Sequence, residues 1–174
     1  MRFRPFVPAD RDACLALFDS NVPAYFAPTE RDDYAAFLDG DGVPYFLLVE
    51  GERALACGGV AISGEGEARM CWGIVDGARH RERLGTRLLL ERLVAGADLG
   101  ATRAGLDTIP KTVPFFARFG FRVVREVPDG YGPGIHRRDL SLDLDASTTA
   151  RLRALLAAEP AFDGAGVSAL VSAS

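Results

Sequence analysis

Apolar and basic residues alternate over residues 1–6, which predicts an opening strand. Pro8, Ala9 and Asp10 then read as a helix entrance, because Cys14, Leu15, Leu17 and Phe18 follow at helical spacing. Residues 29–39 repeat the pattern, with Thr29 placed to cap and acidic residues in the first turn, where the helix dipole favours them. Gly40 and Gly42 close this second helix. Three dense apolar runs separated by turn residues follow at 44–50, 53–62 and 68–75, and they predict a strand meander. Gly58, Gly59 and Gly73 fall inside these strands, which signals bulges or a close approach of something to the backbone.

The clearest helix runs from Gly85 to about Ala97, with Leu84, Leu88, Leu89 and Leu93 on one face. Residues 103–108 are a short strand, and 112–119 a short helix with Pro114 tolerable in its first turn. Gly120 ends that helix, and strands at 121–127 and 136–144 flank the loop DGYGPG. Ser147 is placed to cap a last helix carrying Leu152, Leu155 and Leu156, and the small-residue tail after Pro160 is expected to be mobile or to dock on a partner subunit. The order β α α β β β α β α β β and a final helix predicts one mixed sheet with helices packed over it, an α/β or α+β domain.

Composition narrows the function. A chain of 174 residues, 48% hydrophobic and 25% charged, is one ordinary globular domain with room for a real core. The net charge of −4 argues against a nucleic-acid-binding face. No apolar run approaches the length of a membrane helix, and the charged start is not that of a signal peptide. Cys14, Cys57 and Cys71 lie far apart without metal-ligand spacing, as expected for reduced thiols in a cytoplasmic protein with no metal.

Against this acidic background, GARHRERLGTRLLLERL (77–93) crowds His80, Arg79, Arg81, Arg83 and Arg87 around Gly85 at the mouth of a helix. Unpaired backbone N–H groups and the positive end of the helix dipole make such a place an anion site. A solvated helix entrance, with Glu82 pairing the arginines, is the plainer alternative. Neither GxxxxGK[ST] nor a GxGxxG after the first strand is present.

The segment His80-Arg81-Glu82-Arg83-Leu84-Gly85, followed by Thr86-Arg87-Leu88-Leu89, resembles the acyl-CoA-binding segment of the GNAT superfamily of N-acetyltransferases, [Q/R]-x-x-G-x-[G/A] before a helix with paired leucines. PFFARFGF (114–121) is similar to the family's xFYxxxGF, and the element order matches over most of the chain. His80 and Arg83 depart from the usual first and fourth motif residues, and Phe116 stands where the family often has a tyrosine acid.

The resemblance implies a GNAT-type central sheet, mixed and mostly antiparallel, with splayed central strands and helices on both faces. It places the domain at 1–145, with 146–174 as a helix and tail belonging to it or to a dimer contact. The implied activity is transfer of an acetyl group from acetyl-CoA to a primary amine, small-molecule or peptide, by direct attack in a ternary complex. The implied cofactor-binding residues are Gly73, Ile74, Val75, His80, Arg81, Glu82, Arg83, Leu84, Gly85, Thr86 and Phe116, with Arg81 and Arg83 adding side-chain charge. Val75 would polarise the acetyl carbonyl through its N–H. Tyr131, in the loop that often flanks the acceptor, is the candidate substitute for the missing acid, and Glu50 or Glu67 a base acting through water. Cys71, Trp72 and His136 read as a buried thiol, a core or cleft wall, and a surface histidine. Asp32, Asp33, Asp39 and Asp41, interleaved with Tyr25, Phe26 and Tyr34, would either hold a cationic amine or form a solvated acidic face. Two other functions stay open: an acyl-CoA-binding regulatory module without turnover, and an adapter on a retained fold. The chain is expected to be a monomer or homodimer.

Overall fold

The computed structural model describes residues 1–40, 42–160, 163–164 and 166–171. Its seven strands are β1 (Arg2–Pro5), β2 (Tyr45–Glu50), β3 (Arg53–Ile62), β4 (Glu67–Val75), β5 (Arg103–Thr108), β6 (Arg122–Val127) and β7 (Arg137–Asp143). They form one sheet in the order β1-β2-β3-β4-β5-β7-β6, antiparallel throughout except for β4 beside β5. The helices are α1 (Arg11–Asp19), α2 (Glu30–Asp39), α3 (Leu84–Asp98), α4 (Val113–Ala117), α5 (Ala146–Ala157) and α6 (Val167–Val171).

Both faces of the sheet are covered, and the sequence of β2 shows why. Phe46 and Leu48 join the core beneath α3, whereas Tyr45, Leu47 and Val49 join the one beneath α1 and α2. Period-two alternation on a strand apolar at every inward position requires partners on both sides. Leu152 of α5 and Val167 of α6 are fully buried in the α3-side core.

The structure differs from expectation at two helix starts and in the tail. Thr29 makes no side-chain cap to α2; the Glu30 carboxylate instead accepts from the Ala27 N–H at 2.6 Å. Asp145, not Ser147, caps α5, accepting from the Thr148 N–H at 2.7 Å while Ser147 donates to it. The tail is not loose over residues 167–171: α6 lies on α3, and the Val167 N–H donates to the buried Glu91 carboxylate at 3.0 Å. Asp41 and parts of the tail lie outside the described residues.

The sheet is not closed at its centre. β4 and β5 pair only through Glu67–Arg103, Ala68–Ala104 and Arg69–Gly105, and then diverge. Their divergence coincides with a bulge: Cys57 pairs with Ile74 and Gly59 with Cys71, so Trp72 and Gly73 stand opposite Gly58 alone. Trp72 sits in the left-handed region at φ 39°, a bend that a bulky residue adopts only under constraint from its surroundings. Two side chains hold it. From the α1–α2 side, the Tyr45 hydroxyl donates to the Trp72 carbonyl at 2.8 Å, and Tyr34 donates to Tyr45 at 2.8 Å. From the α3 side, the guanidinium of buried Arg92 donates to the carbonyls of Cys71 and Gly59 at 3.3 and 3.2 Å. Replacing Tyr45 by Phe leaves the Trp72 carbonyl without this donor, so urea denaturation of Tyr45→Phe is expected to show a loss of about 1–3 kcal/mol.

Candidate active site

The divergence of β4 from β5 opens a cleft of about 1190 Å³. One end is bounded by the loop between β4 and α3, the other by β5, α4 and the loop carrying Tyr131. The loop begins with a turn at Gly77–Arg79 whose start is fixed by Asp76, accepting from the Ala78 N–H at 2.9 Å. Gly77 packs so closely on the end of α1 that an added Cβ would lie 2.4 Å from the Ser20 carbonyl oxygen. Asn21, itself buried, donates to the Val75 carbonyl at 2.8 Å and ties β4 to the same point.

The mouth of α3 is shaped by backbone rather than by side-chain charge. Arg81 and Arg83 are both left-handed, at φ 75° and 64°. The Arg87 N–H donates back to Arg83 at 3.0 Å, and the N–H groups just before it are the helix's open donors. An added Cβ on Gly85 would meet only ordinary contacts, 3.5 Å from Val75 Cγ2 and 3.8 Å from Phe115, so packing within the chain does not demand glycine there. A ligand lying against the helix end would.

Most of the basic side chains are already engaged. Arg79 pairs with Glu82 at 2.6 Å and reaches Glu50, Arg87 pairs with buried Glu91 at 2.7 Å, and Arg83 forks onto the buried Glu159 carboxylate. Arg79 and Arg87 are thus ion-paired, and Arg83 lends its charge to the C-terminal segment. Arg81 is exposed and makes no ion pair among the described residues. His80 stands edge-on to Tyr25, ring centres 5.1 Å apart.

Along β4, Gly73 is exposed to the cleft, and Ile74 buries its side chain in the α1–α2 core at 2% exposure. Any contact of Ile74 with a ligand therefore runs through its main chain. The Asp76 N–H donates to the Leu55 carbonyl at 2.8 Å, so the next pair, Ala56–Val75, is a non-hydrogen-bonded one. The alternation of an antiparallel ladder then turns the Val75 N–H away from β3, into the open fork. Leu84 is buried and offers only its backbone, whereas Thr86 lines the cleft. Phe116 lines it too, edge-to-face with Phe115 and Phe121, and has no hydroxyl to give.

The far side holds a group that the strand pattern left unremarked. Asp107, near the end of β5, ion-pairs with Arg69 and accepts from the Tyr131 hydroxyl at 2.6 Å. Burial first, then this bond to Asp107, raises the Tyr131 pKa, so the phenol stays protonated and serves as a donor rather than a base. Glu50 and Glu67 do not border the cleft: Glu50 faces Arg79, and Glu67 bridges Arg69 and Arg103 at the closed end of the fork. Neither is placed as a base. His136 accepts from the Asp129 N–H at 3.1 Å and shapes the Tyr131 loop from outside. Cys71 and Trp72 are cleft wall, with burial raising the Cys71 thiol and Trp72 packed on Tyr34 at 4.9 Å. Asp32, Asp33 and Asp39 are exposed, and Asp39 binds Arg11 at 2.6 Å. The solvated reading holds for these three.

No protein-family model matches the chain. No curated protein sequence matches it. Solved structures do. An acetyltransferase of the GNAT family from Desulfovibrio desulfuricans superposes with a TM-score of 0.70 at 20% identity, covering 83% of this chain and 99% of that one. The chain has the GNAT fold. The ribosomal-protein-S18-alanine N-acetyltransferase of Escherichia coli gives 0.69 at 15% identity, over 83% of this chain and 94% of that one. An aminoglycoside 6'-N-acetyltransferase complexed with coenzyme A gives 0.67 at 14%, over 83% of this chain and 98% of that one. The forked strands and the basic helix mouth thus sit within a known architecture. No helix is long and apolar enough to cross a membrane, and no group of three or more potential metal ligands occurs among the described residues.

The different employment of the two left-handed arginines is measurable. Arg83→Ala strands the buried Glu159 carboxylate and is expected to lower the midpoint of chemical denaturation. Arg81→Ala is expected to stay within about 0.5 kcal/mol of the parent.

Proposed function

We propose that this protein is an acetyl-CoA-dependent N-acetyltransferase that passes the acetyl group to a primary amine by direct attack in a ternary complex. The observation that carries the reading is the fork between β4 and β5, which ends at a helix mouth presenting open N–H groups, Arg81 and a glycine that packing does not require. A pyrophosphate fits that mouth by charge and by hydrogen-bonding capacity. The extended pantetheine arm fits the unpaired edge of β4, as an added strand would.

In this reading acetyl-CoA is a substrate held along β4 from Gly73 to Val75 and on the backbone of residues 80–86. The outward Val75 N–H meets the thioester oxygen and favours the charge that builds there. Phe116 packs against the cofactor arm and takes no part in proton transfer. The acceptor enters from the side of Asp107 and Tyr131, near Phe26 and Trp72. Asp107 attracts a cationic amine, and water beside it carries away the proton that the amine must lose before attack. Tyr131 keeps Asp107 oriented through its short bond. Both small-molecule and peptide amines have this chemistry.

Calorimetric titration with acetyl-CoA tests the reading first. At 100 times its dissociation constant the ligand is expected to stabilise the fold by about 2.7 kcal/mol, visible as a rise in melting temperature. Arg81→Ala is expected to weaken binding about tenfold, the loss of one charge-assisted bond. Absence of binding by any acyl-CoA refutes the proposal. Asp107→Asn is expected to lower kcat/KM for the amine about 10–100-fold while leaving acetyl-CoA affinity unchanged. The lack of a hydroxyl at Phe116 favours one alternative, acyl-CoA binding without turnover, and thiol release across an amine panel decides between the two.

A further inference from the structure

Arg92 belongs to α3 but not to its amphipathic logic. It lies on the buried stripe, four residues after Leu88, and is 4% exposed. Its Nε donates to the Leu88 carbonyl at 3.1 Å, and its Nη1 donates to the carbonyls of Gly59 and Cys71. These bonds are all that propping the β4 bulge needs. Nη2 is left over, with no hydrogen-bond partner and no acidic group paired with the guanidinium among the described residues.

The position of that spare nitrogen is specific. An added Cβ on Gly58 would lie 2.8 Å from Nη1, and one on Gly73 would lie 2.7 Å from Nη2. Two glycines therefore clear a notch under the bulge, and Arg92 reaches the cleft wall through it. The groups around the guanidinium are Cys71 on β4, Cys57 on β3 and Tyr45 on β2, thiols and a phenol rather than carboxylates. Asp107, across the cleft on β5, is taken by Arg69 and Tyr131. A guanidinium cannot shed its proton, so Arg92 presents at the cleft wall a fixed cation that carbonyls hold but no acidic group pairs among the described residues.

We propose that Arg92, through Nη2, is a catalytic residue that takes up the negative charge on the sulfur of coenzyme A as the thioester breaks. The proposal rests on the acetyl-CoA reading above. The amine lone pair forms the C–N bond while the carbonyl π pair moves to oxygen. When that pair returns, the C–S bond breaks and its electrons leave on sulfur as a thiolate. The surplus amine proton passes to water. With Arg92 below the leaving sulfur no residue has to protonate it in this step, which accounts for an active site lined by Phe116 without a hydroxyl.

The test is calorimetric binding of coenzyme A and of desulfo-coenzyme A to the full chain between pH 6 and 9.5. A thiolate held by Arg92 has a bound pKa below the free thiol value of about 8.5. The affinity ratio of the two ligands is then flat below the bound pKa, climbs up to the free one, and is flat above it. A rise of at least about tenfold is expected, one pKa unit of depression. In Arg92→Gln and Arg92→Met, with folding confirmed by circular dichroism, the rise is expected to vanish. If neither folds, Arg92→Lys carries the comparison, and its different reach is expected to cut the rise at least threefold. A flat ratio in the parent protein, or a rise that survives in the variants, overturns the role of Arg92 while leaving the acetyl-CoA reading intact. No binding of either ligand overturns that reading and the proposal together.

Discussion

The bulge at Trp72 and Gly73 is the constraint on which the rest of the structure depends. A flat β4 would pair with β5 along its whole length, and no cleft would exist. Two residues opposite one bend the strand away, but they leave backbone carbonyls that must find donors in a dry interior. The molecule meets this from both faces at once, with the Tyr34–Tyr45 hydroxyl pair above and the Arg92 guanidinium below. The glycines at 58 and 73 follow from that second choice, since a guanidinium pressed against the sheet leaves no room for a Cβ.

The charge of the basic loop has a similar division of labour. Read as a string, five cationic or titratable side chains around one glycine suggest an anion site made of side chains. In the fold, Glu82, Glu91 and Glu159 claim three of the arginines. Two of these pairs anchor elements distant in sequence: Arg83–Glu159 holds the end of α5, and Glu91 also receives the Val167 N–H of α6. What remains for a ligand is the backbone of the helix mouth and Arg81. The C-terminal segment thereby braces the wall of the cleft from behind, through Leu152 and Val167 packed into the core beneath α3.

The side of the cleft at Asp107 and Tyr131 is ordered by a different principle. A half-buried carboxylate needs donors in place of the water it has lost, and Asp107 has both Arg69 and the Tyr131 hydroxyl. The long loop carrying Tyr131 is in turn fixed by its own bonds, Gly134 N–H to Asp129 at 2.8 Å and Tyr131 N–H to Ile135 at 3.0 Å. Phe26, between α1 and α2, and Trp72, on β4, line the cleft together, and buried Tyr34 of α2 packs behind Trp72.

Much of this was legible along the chain. The strand meander, the long helix after the basic loop, the short helix before Gly120 and the glycines inside strands all rest on local patterns, which persist in the fold because each element buries its own apolar face. The glycines around Tyr131 mark a shaped loop, and Tyr131 reaches the cleft. Arg92 left a faint signal, a charge at the apolar phase of a leucine-rich helix, and Asp107 another, an acid in a short apolar strand. Glu50 and Glu67 show the limit of such signals: proximity to a strand end does not say which end borders the fork. Sequence by itself determined the elements, their order and the place of the basic helix mouth, because these depend on neighbours within a few residues. Only the tertiary structure decided which arginines remain free, where β4 parts from β5, and that Arg92 meets Gly73, because those depend on partners separated by up to 76 residues whose approach no local pattern encodes.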